Sequence, residues 1–235
     1  MIRITNTAVY GWEAAIRGMR NPMNSWDKSD SRFCGELDSD CEDCGYGKQN
    51  SLPCPNHDTL VVGNNDYSLM KRLGNAGPDH GKFLRMITVT MDVYAPLYWW
   101  KEADTYKVGT VANSCSTMHK IHSKEFTLDD FSHEHLYDGN YYDEPVNSYE
   151  LLLHTIKTLN YYREEFIETK DKCYWWQLIQ LLPSSYNQLR TVQLNYQVLK
   201  SMYHARKNHK LDEWRDFCAW IKTLPYSELI TGEAI

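Results

Sequence analysis

The sequence predicts an α+β fold with a small sheet, a helical C-terminal half and a cysteine-rich insertion. Three observations predict it. "IRITNTAVY" at 2–10 and "RMITVTMDV" at 85–93 alternate in the period-two pattern of strands. From residue 148 onward, apolar side chains recur at helical spacing. Between the two strands lies a tract rich in Gly, Pro, Asn, Asp, Ser and Cys. Strands and helices in mixed order make α+β the expected class. A chain of 235 residues fits one domain spanning 1–235, with the insertion at 27–62.

After the first strand, the run from Gly11 to Asp58 reads as irregular, and long irregular segments tend to be functional, disordered or separately stapled. "NNDYSLMKRLGNAGPDH" reads as a short helix, capped by Asn65 or Asp66 and stopped at Gly77-Pro78. Its stripe is Leu69, Met70 and Leu73. In the 85–93 strand, Ile87, Val89, Met91 and Val93 form one face. Pro96 then opens a short helix through Trp99 and Trp100, because its fixed φ suits a first helical position. Residues 123–145 are polar and read as a surface excursion. The last 90 or so residues read as helices: "SYELLLHTIKTLNYYREEFIE", "DKCYWWQLIQLLP", "NQLRTVQLNYQVLKSMYHARKNH" and "LDEWRDFCAWIKTLP".

Composition excludes several functions. A net charge of −6 argues against broad nucleic-acid binding, which needs a basic face to displace counterions. No apolar run approaches the roughly 20 residues of a membrane span, and the N-terminus has no signal-peptide core, so a cytoplasmic location is expected. Seven cysteines, an odd number, do not form a secreted disulfide framework. The 8 Trp and 17 Tyr are heavy usage, and such rings fill cores, stack on planar ligands or line interfaces.

Three constellations carry chemistry. Cys41 and Cys44 form a C-x-x-C pair, and Cys54 and His57 form a C-x-x-H pair. Together they supply four ligands for a structural, tetrahedral zinc; the alternative is an exposed loop of free thiols. A basic run includes Arg190, Lys200, Arg206 and Lys210. Either it answers a helix dipole or it forms an anion-binding rim in which Arg190 and Arg206 grip a phosphate or base edge. The stretch Gly109–Thr117 offers Thr110, Asn113, Ser114 and Ser116 as small hydrogen-bonding groups behind Lys107. It reads as a ligand cradle or as an edge strand. Glu102 and Asp104 read as solvated or paired with nearby lysines.

In order, "DHGKFLRMITVTMDV", "APLYWWKEADTYKVGTVANSCSTMH" and "LLPSSYNQLRTVQLNYQVLKSMYHARKNHKLDEW" resemble the flavin-dependent thymidylate synthases over about residues 80–120 and 180–220. Thr105-Tyr106-Lys107 stand where that family has Arg-His-Arg, and Thr110 stands at a family serine. Asn113 falls on the family glutamate and Thr117 on its second arginine. Asn195 and Arg206 match the C-terminal signature, and Gln197 replaces an arginine.

The resemblance implies a small antiparallel sheet, a homotetramer with active sites between subunits, and bound FAD. It implies reductive methylation of dUMP to dTMP, with methylene-tetrahydrofolate giving the carbon and NADPH the electrons. Tyr106, Lys107, Thr110, Asn113 and Asn195 would hold the flavin. Arg190, Ser114, Ser116 and Arg206 would hold the deoxyuridine nucleotide, with Arg206 orienting the uracil. The alternative is a non-catalytic nucleotide-binding or protein-interaction relative on the same fold.

Overall fold

A computed structural model describes residues 1–34, 60–139 and 147–232. Its elements confirm the α+β class. They run β1 (Arg3–Tyr10), α1 (Trp12–Arg20), β2 (Arg32–Phe33), β3 (Leu60–Val61), α2 (Asn64–Asn75), β4 (Thr88–Pro96), α3 (Leu97–Ala103) and β5 (Val111–Ser114). Then follow α4 (Ser148–Thr169), α5 (Lys172–Leu181), β6 (Asn187–Asn195), α6 (Tyr196–Arg206), α7 (Asp212–Ile221) and α8 (Glu228–Thr231). Two compact units divide the chain. The first comprises Met1–Ala8, Thr90–Gln193 and Ala205–Trp220; the second comprises Val9–Val89, Leu194–His204 and Ile221–Ile235.

The first unit holds most of a four-stranded sheet in the order β1-β4-β6-β5. In β4, Val89, Met91 and Val93 are buried while Thr90 and Asp92 stand on the other face, as the alternation predicts. Asp92 bridges its neighbours, accepting from Asn6 of β1 at 2.7 Å and from Thr191 of β6 at 2.6 Å. Pro96 caps α3 rather than opening it, and the helix places Trp99 and Trp100 in the interior. Trp99 packs against Trp100 and Trp214, each with ring centroids at 4.8 Å, and against Phe217 at 5.6 Å. Such a buried aromatic group contributes both area and edge-to-face contacts.

A second cluster joins Ile121, Phe126, Phe131, Leu152, Ile156, Leu159 and Leu178. It corrects the reading of 123–145 as a surface excursion: within the described part, Phe126 and Phe131 are core residues. The polar residues around them hid two aromatic anchors. The capping box of Thr127 and Asp130 shapes the turn that sends both rings inward.

The helical reading of "NQLRTVQLN" is also corrected. Residues 187–195 form strand β6, with Val192 and Leu194 buried and Leu189, Thr191 and Gln193 exposed. The helix starts only at Tyr196, where Asn195 accepts the Val198 amide at 3.0 Å as its N-cap. Arg190 therefore sits on a strand, and Arg206 and Lys210 share no helical face, because α6 ends at Arg206.

In the second unit, Gly11–Asp58 is not uniformly irregular: Trp12–Arg20 is a helix that buries Ala15, Ile16 and Met19. Gly11 makes the corner into it at φ 90°. α2 forms as expected, but neither Asn65 nor Asp66 caps it. Asp30 accepts the amides of Asn65 and Asp66 instead, at 2.9 and 3.1 Å. Asp66 is fully buried and receives Arg20 Nε at 2.6 Å, with further bonds from Ser29, Ser31 and the Asp30 and Ser31 amides.

Candidate functional site

Helix α3 organises the site. Its first amides, Leu97 and Tyr98, donate to the carbonyls of Tyr186 and Ser184, which fixes the helix against the entry to β6. Two guanidinium groups are then tied to it in the same manner. Arg190 stacks on the Trp100 ring, with Cζ 4.1 Å from the centroid, and its NH1 pairs with Asp104 at 2.7 Å. Arg206 lies 4.9 Å over Trp214, and its NH1 pairs with Glu102 at 2.8 Å. Each is a cation held between an indole face and a carboxylate, Glu102 within α3 and Asp104 at its C-cap.

Further bonds orient these groups. Arg190 Nε donates to Gln188 Oε1 at 3.0 Å, and Gln188 Nε2 donates to the Cys115 carbonyl at 2.6 Å. Arg206 Nε donates to the Tyr106 hydroxyl at 3.1 Å. Glu102 Oε2 also accepts Trp214 Nε1 at 3.0 Å and lies 3.4 Å from His209 Nε2. Among the described residues, the NH2 group of each arginine has no hydrogen-bond partner. Both arginines keep a minor exposed fraction, 15% for Arg190 and 21% for Arg206. Each therefore offers one outward N–H pair to a ligand. Burial pushes the Tyr98 hydroxyl well above its usual range, reinforced by its short hydrogen bond to Glu213.

The small-residue stretch is an edge strand. β5 pairs antiparallel with β6, with Val111 opposite Gln193, Asn113 opposite Thr191 and Ser114 opposite Arg190. Facing residues share a side of the sheet, so Ser114 lies on the Arg190 side and Asn113 on the Thr191 side. The two do not line one cradle. Ser116 is spent on its own turn, its Oγ accepting the amides of Met118 and His119 at 3.2 and 2.8 Å. Lys107 is exposed. The Thr110 hydroxyl is buried and, among the described residues, has no hydrogen-bond partner. Asn195 belongs to the second unit, where its side-chain oxygen caps α6.

Of the predicted site residues, the structure brings together Tyr106 with Arg206, and Arg190 with Ser114. Tyr106 and Glu102 bond directly to the Arg206 guanidinium, at 3.1 and 2.8 Å. Glu102 and Asp104 pair with the arginines rather than with lysines, and Asp104 stays half exposed, at 52%. Trp100, Trp214 and His209 join this cluster through contacts that the sequence did not give. The doubled Trp99-Trp100 ahead of two acids was the available signal. Cys41, Cys44, Cys54 and His57 lie outside the described residues. Among the described residues no cluster of His, Cys, Asp or Glu suits a metal ion, and no helix is long and apolar enough to cross a membrane.

No family model matches the chain, and no curated protein matches it in sequence. Solved structures do match it in shape. Thymidylate synthase X from Helicobacter pylori, crystallised with FAD and dUMP, gives a TM-score of 0.64 at 15% identity, covering 99% of this chain and 98% of that one. A second flavin-dependent thymidylate synthase structure from the same organism, complexed with FAD and dUMP, gives 0.63 at 15% identity, with 98% of each chain covered. A UMP/dUMP methylase from Streptomyces cacaoi, bound with 5-Br dUMP, gives 0.54 at 13% identity, covering 99% and 94%. At these identities the likeness is one of architecture, and the protein has the fold of the flavin-dependent thymidylate synthases.

Proposed function

We propose that the protein is a flavin-dependent thymidylate synthase-like enzyme that methylates dUMP to dTMP, using FAD, methylene-tetrahydrofolate and NADPH. One observation carries this reading: the fold match runs the full length of both chains to structures that hold FAD and dUMP. The residues present suit such ligands. The orphaned Thr110 hydroxyl is a buried polar group in need of a partner, and a bound ligand would supply it. Thr110, Tyr106 and Lys107 would hold the flavin. Arg190, Ser114 and Arg206 would hold the nucleotide, through the outward NH2 groups and the hydroxyl. Asn113 and Ser116, turned to the other sheet face or spent on a turn, would contribute little.

The flavin, when bound, supplies the redox chemistry. The chain supplies orientation and positive charge beside the uracil and phosphate, and needs no nucleophile of its own. As in the implied assembly, a homotetramer would complete the site; Val108 and Val111, 92% and 67% exposed beside it, give such an interface apolar surface. A cytoplasmic location and a structural zinc on Cys41, Cys44, Cys54 and His57 complete the proposal. Metal analysis of the wild type and of Cys41→Ser tests the zinc.

A second reading is favoured by the pairing of both arginines with acids. A non-catalytic relative would keep its cations neutralised in this way. Purified protein separates the two. The enzyme takes up FAD, keeps its flavin absorbance through gel filtration and binds dUMP, and Arg206→Ala loses the dUMP while keeping the fold. A colourless protein that fails to take up added FAD would overturn the enzyme reading.

A further inference from the structure

The second unit contains a cavity of about 660 Å³, lined by Arg20, Met23, Ser25, Lys28, Asn65, Ser68, Leu69 and Arg72. Its volume lies within the usual range for small-molecule sites, roughly 300–1,000 Å³. In a chain of net charge −6, three basic side chains line it, and among the described residues no carboxylate does.

The cavity is built on a buried ion pair. Arg20, 4% exposed, gives Nε to Asp66, NH1 to the Ser25 carbonyl at 3.0 Å and NH2 to the Lys28 carbonyl at 3.0 Å. This fixes the Ser25–Lys28 segment as one wall. The other wall is a stripe of α2, residues 65, 68, 69 and 72, which helical spacing sets on one face. Asp66 neutralises Arg20, so the uncompensated charges are Lys28 and Arg72. Among the described residues neither forms an ion pair with an acid. The Asn65 side-chain amide and the Ser68 hydroxyl likewise have no partner there, and Met23 and Leu69 add an apolar surface.

We infer that this cavity binds a small organic phosphate, with Lys28 and Arg72 on the phosphate and the Asn65–Leu69 stripe and Met23 on its organic part. A phosphate group carries close to two charges near neutral pH, which two cations match, and Arg72 can engage it bidentately. The site shares no residue with the one assigned to the nucleotide, and it does not depend on the synthase reading.

Calorimetric titration of the full chain with ribose 5-phosphate, inorganic phosphate and ribose tests it. Ribose 5-phosphate should bind at least about tenfold more tightly than inorganic phosphate, and ribose should not bind. Lys28→Ala and Arg72→Ala should each weaken binding by about tenfold, and the double variant should abolish it, with Arg72→Lys retaining part. Both are exposed positions, and Arg20 is left intact to keep the fold. The same binding should persist in Arg206→Ala, which removes the other candidate anion site. No saturable binding, equal affinity for the two phosphates, unchanged affinity in the double variant, or loss of binding in Arg206→Ala would each overturn the assignment.

Discussion

Arg206 NH1 sits 2.8 Å from Glu102 Oε2, and that oxygen also accepts Trp214 Nε1 at 3.0 Å. Glu102 is thus the internal competitor for the guanidinium that the synthase reading assigns to the nucleotide. Glu102→Gln keeps an acceptor for Trp214 but replaces a charge-assisted bond by a neutral one. That difference is about 1.4 kcal/mol, or roughly tenfold in an equilibrium. Titration with dUMP should show affinity rising by about that factor. Unchanged affinity would mean Arg206 never meets the nucleotide.

Thr110 offers a test in which stability and binding move in opposite directions. Its buried hydroxyl has no partner among the described residues, so the desolvated group costs free energy without return. Thr110→Val should raise unfolding stability by about 1 kcal/mol in urea melts. If the hydroxyl serves the flavin, FAD affinity should fall in the same variant. A less stable variant would show that the hydroxyl is satisfied in the fold, and unchanged FAD affinity would show that it does not serve the flavin.

The two glycines with left-handed backbone at helix ends should respond unequally to alanine. At Gly11, φ is +90° and a Cβ would meet the Met86 carbonyl oxygen at 2.1 Å. At Gly232, φ is +70° and nothing lies within 4 Å. Gly11→Ala therefore adds backbone collision to conformational strain and should cost about 3 kcal/mol or more. Gly232→Ala carries the strain alone and should cost about 1 kcal/mol. Denaturation midpoints of the two variants check the ranking.

The elements legible in the sequence were those whose pattern persisted. β4 kept its alternation through Val93, and α4 and α7 kept helical spacing long enough to stand out. α1 was hidden because Gly11, Gly18 and Pro22 punctuate a short amphipathic run whose stripe is only Ala15, Ile16 and Met19. β6 was hidden for the opposite reason. No glycine or proline marks the change at Asn195, so Leu194 joined Val198 in an apparent helical stripe. The adjacent Thr191-Val192 was the signal for a strand. The site was legible in its residues and not in its pairings. Glu102 and Arg206 are 104 residues apart, and only the fold brings them together. The arginines stood out as cations, while the acids that hold them looked like ordinary surface charge.

Acid should unfold the protein through a few buried groups whose direction of shift is fixed by their partners. Burial alone would raise the Asp66 carboxyl, but hydrogen bonds from Ser31, Ser29 and Arg20 outweigh it and hold it below the usual carboxylate range. Asp130 behaves likewise, with burial opposed by Lys124 and Thr127. A lowered native pKa means the unfolded chain binds more protons, so this stability is complete above the unfolded value near 3.9 and drains away as pH falls through the native values. His122 adds an earlier step. Burial, with Lys120, Lys170 and Arg163 nearby, lowers its pKa, so the fold holds it neutral. Its contribution is whole above the unfolded value of about 6.5 and shrinks below it. Urea melts should therefore show a shallow loss of stability beginning near pH 6.5 and a steeper one below about pH 4. His122→Phe should remove the first step without the second. Asp66→Asn should cost about 3–5 kcal/mol at neutral pH, because Arg20 is left charged and unpaired in the interior. It should also flatten the steep step, since the group that titrates there is gone. A variant that is destabilised at pH 7 yet keeps the full slope below pH 4 would place the acid sensitivity elsewhere in the chain.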